Sequence, residues 1–221
     1  METYDLRLRH PCCLQISAFS GSGKTHLTGE ILKNRDRLYT QKFVNIVFLY
    51  QHWQPLYEKI KSEVNGIIFT DKLDDLEPFT STPDPTLVVM DDVVVNLITQ
   101  QNKFLPFFLE LSHHGNNSII ILTQSVFVPK SRLLFLQCQY LILFKLPRDS
   151  SSIYRLAYQI LPQSPKKLYQ AYKHAVNSKP YGTLMIDSHP HQDDKVRFRS
   201  NIFFWEDDCI IYVPKNDCDS K

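Results

Sequence analysis

Ser17-Ala18-Phe19-Ser20-Gly21-Ser22-Gly23-Lys24-Thr25 sets two glycines just before a lysine and a hydroxyl. That order of side chains suits a phosphate-binding loop. Gly21 and Gly23 let the backbone curl until successive N–H groups point inward at phosphate oxygens. Lys24 is placed to reach the β- and γ-phosphates of ATP, and the Thr25 hydroxyl to bind Mg²⁺. The expected nucleotide-contacting set is Ser20, Gly21, Ser22, Gly23, Lys24, Thr25 and His26. Ala18 stands where the first glycine of such loops is usual, and it is small enough for the turn. The plainer alternative is a Gly/Ser turn that only caps a helix.

A matching acidic pair follows Leu87-Val88-Val89-Met90 at Asp91-Asp92. A strand buried on both faces delivers acids at its C-terminal edge, where open α/β sheets bind ligands. Asp91 is the expected metal acid beside Thr25, and Asp92 the group that orients or deprotonates the attacking water. Two acids capping the next helix are the alternative. Gln124 follows a further apolar strand, and its amide can hydrogen-bond both the water and the γ-phosphate. A strand-end polar residue is its plainer reading.

The elements that must hold these groups follow from hydrophobic period and turn residues. Strands are expected over about Cys12–Ala18, Phe43–Tyr50, Ile67–Phe69, Thr86–Met90, Ser118–Leu122, Tyr140–Phe144 and Thr183–Asp187. Helices are expected from the loop to about Tyr39, from Pro55, and over Val93–Leu111, Ser131–Gln137, Ser150–Ile160 and Ser164–Val176. Ser150 to Ser152 are candidate N-caps. Pro78, Pro83 and Pro85 argue against regular structure in the connector from Asp71 to Pro85. Thr3–Arg9 reads as an edge strand. Val196–Phe204 and Asp208–Val213 read as a terminal hairpin turning near Glu206-Asp207. The expectation is one α/β domain over residues 1–221, with a mainly parallel sheet flanked by helices and a flexible tail from about 214.

The 221 residues carry a formal charge of only +2. That is no strong nucleic-acid or membrane signature, although Lys145 to Arg199 is locally basic. Five cysteines without a Cys-x-x-Cys point to buried thiols in a reducing compartment. No secretory leader and no membrane span are read. His189-Pro190-His191-Gln192-Asp193-Asp194 is expected to be a solvated loop, not a metal site. His113-His114 is expected to cap a helix, and Trp53 with its tyrosines to be core.

The stretch from Ser112 to Phe127, with Ile119-Ile120-Ile121-Leu122-Thr123-Gln124 at its centre, resembles the packaging ATPases of Polinton and adintovirus-type elements, virophages and large DNA viruses. Those belong to the FtsK–HerA superfamily, whose core is a P-loop NTPase. The resemblance continues in Tyr140–Asp149, Pro180–Asp187 and Arg197–Phe203, in order along the chain. It implies an ATP-driven motor that moves double-stranded viral DNA into a preformed capsid. It also implies a ring homo-oligomer, pentamer or hexamer, with ATP at subunit interfaces and capsid or portal vertex proteins as partners. The implied location is the host interior, in the nucleus or a cytoplasmic factory, or with the virion.

Residue by residue, the resemblance assigns Lys24 and Thr25 to phosphate and Mg²⁺, Asp91 to the metal, Asp92 and Gln124 to catalysis. Many members have Glu at the position of Asp92, one methylene longer, and large-virus members often have an Arg near His113. Ring ATPases also need an arginine from the neighbouring subunit. Arg132, Arg148, Arg155, Arg197 and Arg199 are candidates, and Arg148 is the one selected. The alternatives are another DNA-translocating ATPase or helicase of the superfamily, a P-loop nucleoside or nucleotide kinase, and a nucleotide-gated scaffold.

Overall fold

The computed structural model describes residues 3–92, 108, 116–127 and 132–214. The sequence-predicted helix over Val93–Leu111 and the pair His113-His114 lie almost wholly outside them, as does the tail beyond 214.

Strands β1 (Cys13–Ser17), β2 (Asn45–Tyr50), β3 (Ile67–Thr70), β4 (Thr86–Asp91), β5 (Asn117–Thr123) and β6 (Tyr140–Leu143) all run parallel to one another. Three antiparallel strands close the far side: β7 (Leu184–Asp187), β8 (Phe198–Arg199) and β9 (Ile211–Tyr212). Among the described residues the sheet order is β3-β2-β4-β5-β1-β6-β7-β8-β9.

The central strands are apolar at nearly every position because both sheet faces are covered. Along β4, Val88 and Met90 pack into one core and Leu87 and Val89 into the other. Ile120 in β5 is fully buried, so cutting it to Ala would cost about 2–5 kcal/mol.

Helix α1 (Lys24–Lys33) stops short of the expected Tyr39. Asn34 breaks it, donating its amide to Glu30 O at 2.9 Å, and a turn α2 (Arg35–Leu38) follows. Helix α3 (Pro55–Glu63) starts at its proline as expected. The connector is more regular than its prolines implied. A 3₁₀ turn (Leu73–Leu76) leads into α4 (Glu77–Thr80), with Pro78 in the first turn, where a missing N–H costs nothing.

Helices α5 (Arg132–Gln137), α6 (Ser150–Ile160) and α7 (Pro165–Ser178) lie close to the expected bounds. The cap of α6 is Asp149, not a serine, and its side chain bonds Ser125 instead. The terminal hairpin exists, but its strands are two residues each, joined through the folded turn of Ser200–Ile210. Thr3–Arg9 makes only an isolated bridge, Leu8 to Tyr39.

Candidate functional site

Gly21 and Gly23 both adopt left-handed backbone, with φ of 75° and 92°. Gly23 is also the N-cap of α1, and no side chain caps that helix. Its first-turn N–H groups therefore face the loop mouth as an anion site. Lys24 is 6% exposed. Its ammonium folds back onto the loop, donating to Ala18 O at 3.0 Å and Phe19 O at 3.5 Å. The Ser22 amide donates to Phe19 O at 3.2 Å, which closes the turn. Ser20 and His26 stand exposed at the rim, and Ser22 and Thr25 are half-buried.

Asp91 is the last residue of β4 and only 2% exposed. Its Oδ2 accepts from Thr25 Oγ1 at 3.2 Å and from Tyr57 Oη at 2.8 Å. Burial pushes the Asp91 carboxyl above its ordinary value; the Tyr57 bond pulls it back, and the charge of Asp92 pushes up again. Burial, with Asp91 opposite, also raises the Tyr57 phenol. Asp92 sits in left-handed backbone at φ 53°, a region Asp tolerates better than most residues. Its Oδ2 accepts from Gln124 Nε2 at 3.3 Å. Lys24, Thr25, Asp91, Asp92 and Gln124 thus gather at the C-terminal edge of β1, β4 and β5, as the sequence predicted.

Thr25 Oγ1 and Asp91 Oδ2 form a small set of hard oxygens. Mg²⁺ takes one or two carboxylates plus substrate phosphates, so these donors fit it. No group of three or more His, Cys, Asp or Glu side chains suited to a metal occurs among the described residues. The 189–194 loop uses its polar groups internally: Asp193 caps Lys195 N and Gln192 donates to Asp187 Oδ2.

The candidate arginines separate. Arg199 is fully buried, with Nη1 donating to Leu6 O at 3.3 Å and Nε and Nη2 unpaired. A group sealed in the core cannot reach another subunit, so Arg199 is removed as a candidate. Arg197 is tied to Asp194 and to the carbonyls of Asp187 and His189. Arg155 lies 3.9 Å over the Phe127 ring. Arg132 is exposed at the start of α5. Arg148 is exposed in the loop after β6, on the same sheet edge as the phosphate loop.

Three residues were not foreseen. Tyr57 is buried in an aromatic cluster with Phe48, Trp53 and Phe69, though Trp53, expected in the core, is 43% exposed at its edge; the Tyr57 hydroxyl reaches Asp91. Gln15, buried in β1, bonds Ser17 Oγ, Thr123 Oγ1 and Val126 O, bracing the turn around Gln124. A lone amide in an apolar strand was a readable signal. Tyr181 packs on the phosphate loop: a Cβ on Gly23 would stand 3.3 Å from its Cδ1.

The thiols Cys12, Cys13, Cys138 and Cys209 are all free. No helix among the described residues is long and apolar enough to cross a membrane.

No protein-family model and no curated protein matches the chain. Solved structures do. One is B204, the DNA-packaging ATPase of Sulfolobus turreted icosahedral virus, at 15% identity and a TM-score of 0.57, covering 95% of this chain and 100% of that one. Another is the genome-packaging NTPase B204 of Sulfolobus turreted icosahedral virus 2 in complex with ATP-gammaS, at 15% identity and 0.52, covering 93% and 98%. A third is the cytoplasmic domain of the Type VII secretion ATPase EccC of Thermomonospora curvata, at 14% and 0.53, covering 80% of this chain and 24% of that one. At such identities the likeness is one of fold. The chain has the α/β fold of these ATPases, and the expected mainly parallel sheet flanked by helices is met.

Proposed function

We propose that this chain hydrolyses ATP to drive double-stranded viral DNA into a capsid, working as a ring of five or six copies in the host interior. The supporting observation is the meeting of Thr25 with Asp91, and of Asp92 with Gln124, at one sheet edge beside the loop of Lys24. The end-to-end likeness in fold to a packaging ATPase favours this reading over a kinase.

In this reading Lys24 exchanges the carbonyls of Ala18 and Phe19 for the β- and γ-phosphates. Thr25 and Asp91 would hold Mg²⁺, which would supply neutralisation of phosphate charge when bound. Asp92 takes a proton from the attacking water, and Gln124 orients that water. Arg148 reaches the γ-phosphate of the neighbouring subunit's ATP. Contacts to DNA are mainly to phosphates, so binding weakens steeply with salt. Capsid or portal vertex proteins would dock the ring.

The test is phosphate release by the full chain with and without duplex DNA, together with its oligomeric state in ATP. Turnover raised by DNA, in a ring, with Lys24→Ala inactive, is the expected result. Phosphate transfer to an added nucleoside, with no response to DNA, would assign a kinase instead.

A further inference from the structure

Beside the phosphate loop lies a cleft of about 600 Å³ that none of the groups above fills. Its walls are Phe19 and Ser22 on the loop, Phe144 and Lys145 after β6, and Asn177 and Tyr181 at and beyond the end of α7. That volume lies in the range of small-molecule sites. The cleft opens on the β6 side of β1, whereas Asp91 stands on the other side, beyond β5. A triphosphate seated on the loop with its γ end toward Asp91 therefore points its other end into the cleft.

Tyr181 is the unusual residue there. It is 73% exposed, more than any other large hydrophobic side chain among the described residues. Its backbone is left-handed at φ 57°, which a bulky residue seldom adopts and which gathers at functional positions. The turn holding it is fixed: the Gly182 amide donates to Lys179 O at 3.0 Å, and a Cβ on Gly182 would stand 2.4 Å from Ala175 O. Meanwhile most polar side chains of the cleft wall beyond the loop are already engaged. Lys145 Nζ donates to Asn177 Oδ1 at 2.8 Å, Ser178 Oγ to Ala175 O at 2.9 Å, and Lys179 Nζ pairs with Asp208. What the cleft offers a ligand is a ring face, not a set of free edge readers.

We propose that this cleft binds the base and sugar of a nucleoside triphosphate, with Tyr181 as the stacking platform, so that bases are accepted by their ring face with little discrimination between ATP and GTP. This rests on the nucleotide reading above. Stacking is tolerant because every base has a π-face.

The test is calorimetric titration of the full chain with ATP, GTP and inorganic tripolyphosphate, each with Mg²⁺. Tyr181→Phe keeps the ring and should bind all three like the wild type. Tyr181→Leu keeps apolar bulk against Gly23 without the π-face. It should bind ATP and GTP about tenfold more weakly and leave tripolyphosphate unchanged. An equal loss for tripolyphosphate would show that Tyr181 only props the loop and would overturn the proposal. So would unchanged ATP binding in Tyr181→Leu, or wild-type binding of GTP about a hundredfold weaker than ATP. Wild-type protein that binds tripolyphosphate but gains nothing from the nucleoside defeats the cleft alone. Protein that binds neither defeats the nucleotide reading as well.

Discussion

The hydroxyl of Tyr57 donates to Asp91 Oδ2 across 2.8 Å, tying helix α3 to the acid at the end of β4. That bond opposes the burial that raises the Asp91 carboxyl. Tyr57→Phe removes it, and the carboxyl rises further. An acid with a raised folded pKa is ionised only at higher pH, so the acid limb of turnover and of Mg²⁺ affinity should move up in pH. The alkaline side should keep most of its activity. The lost hydrogen bond should cost about 1 kcal/mol, a Tm fall of a few degrees. A Tm fall without movement of the acid limb would confine Tyr57 to packing.

Gln124 donates its amide to Asp92 Oδ2 at 3.3 Å. Asp92→Asn should cut kcat by about 10²–10⁴ while nucleotide affinity stays within about threefold. Gln124→Ala should do the same more mildly. Steady-state kinetics and nucleotide titration together separate the two effects. Unchanged turnover in Asp92→Asn would take away its role as base.

Arg148 is exposed on the nucleotide edge, so it is free to act across a subunit boundary. Arg148→Ala should lower turnover by about 10³ or more. Lys24→Ala should be inactive too. Mixed together, the two variants should regain activity, because a Lys24→Ala subunit still lends its arginine to an Arg148→Ala neighbour. A mixture as inactive as its parts would place the arginine elsewhere, with Arg132 next.

Gly182 has no room for a methyl group, since its Cβ would stand 2.4 Å from the carbonyl of Ala175. Backbone cannot yield there as a flexible side chain could. Gly182→Ala should therefore destabilise by about 1–3 kcal/mol, read as a fall in denaturant midpoint with an unchanged m-value. Gly21 has nothing within 4 Å of its Cβ position but φ of 75°, so Gly21→Ala is costly through the backbone alone.

Much of this was legible in the residues. The apolar runs ending at Ser17, Asp91 and Thr123, interrupted only by Gln15 in the first, gave parallel strands, and the polar residues ending them gave the site edge. What was missed came from contacts between distant residues. Tyr57 and Asp91 are 34 positions apart, and helical periodicity marks Tyr57 only as core. Arg199 stood among the candidate trans arginines because its type rarely enters a core; only the packing of Leu6 and β8 shows otherwise. The connector was read too strictly, since Pro78 opens a helical turn there.

Strand β1 is synthesised before both of its sheet neighbours, β5, which starts at Asn117, and β6, which starts at Tyr140. The tyrosine that rests on its loop comes later still. A nascent chain leaving the ribosome therefore carries its nucleotide loop bare until β6 and Tyr181 have emerged. Such long-range closure is slow. Chains halted before residue 140 should need a chaperone to stay soluble, and only chains that extend past Tyr181 should gain protection from added ATP.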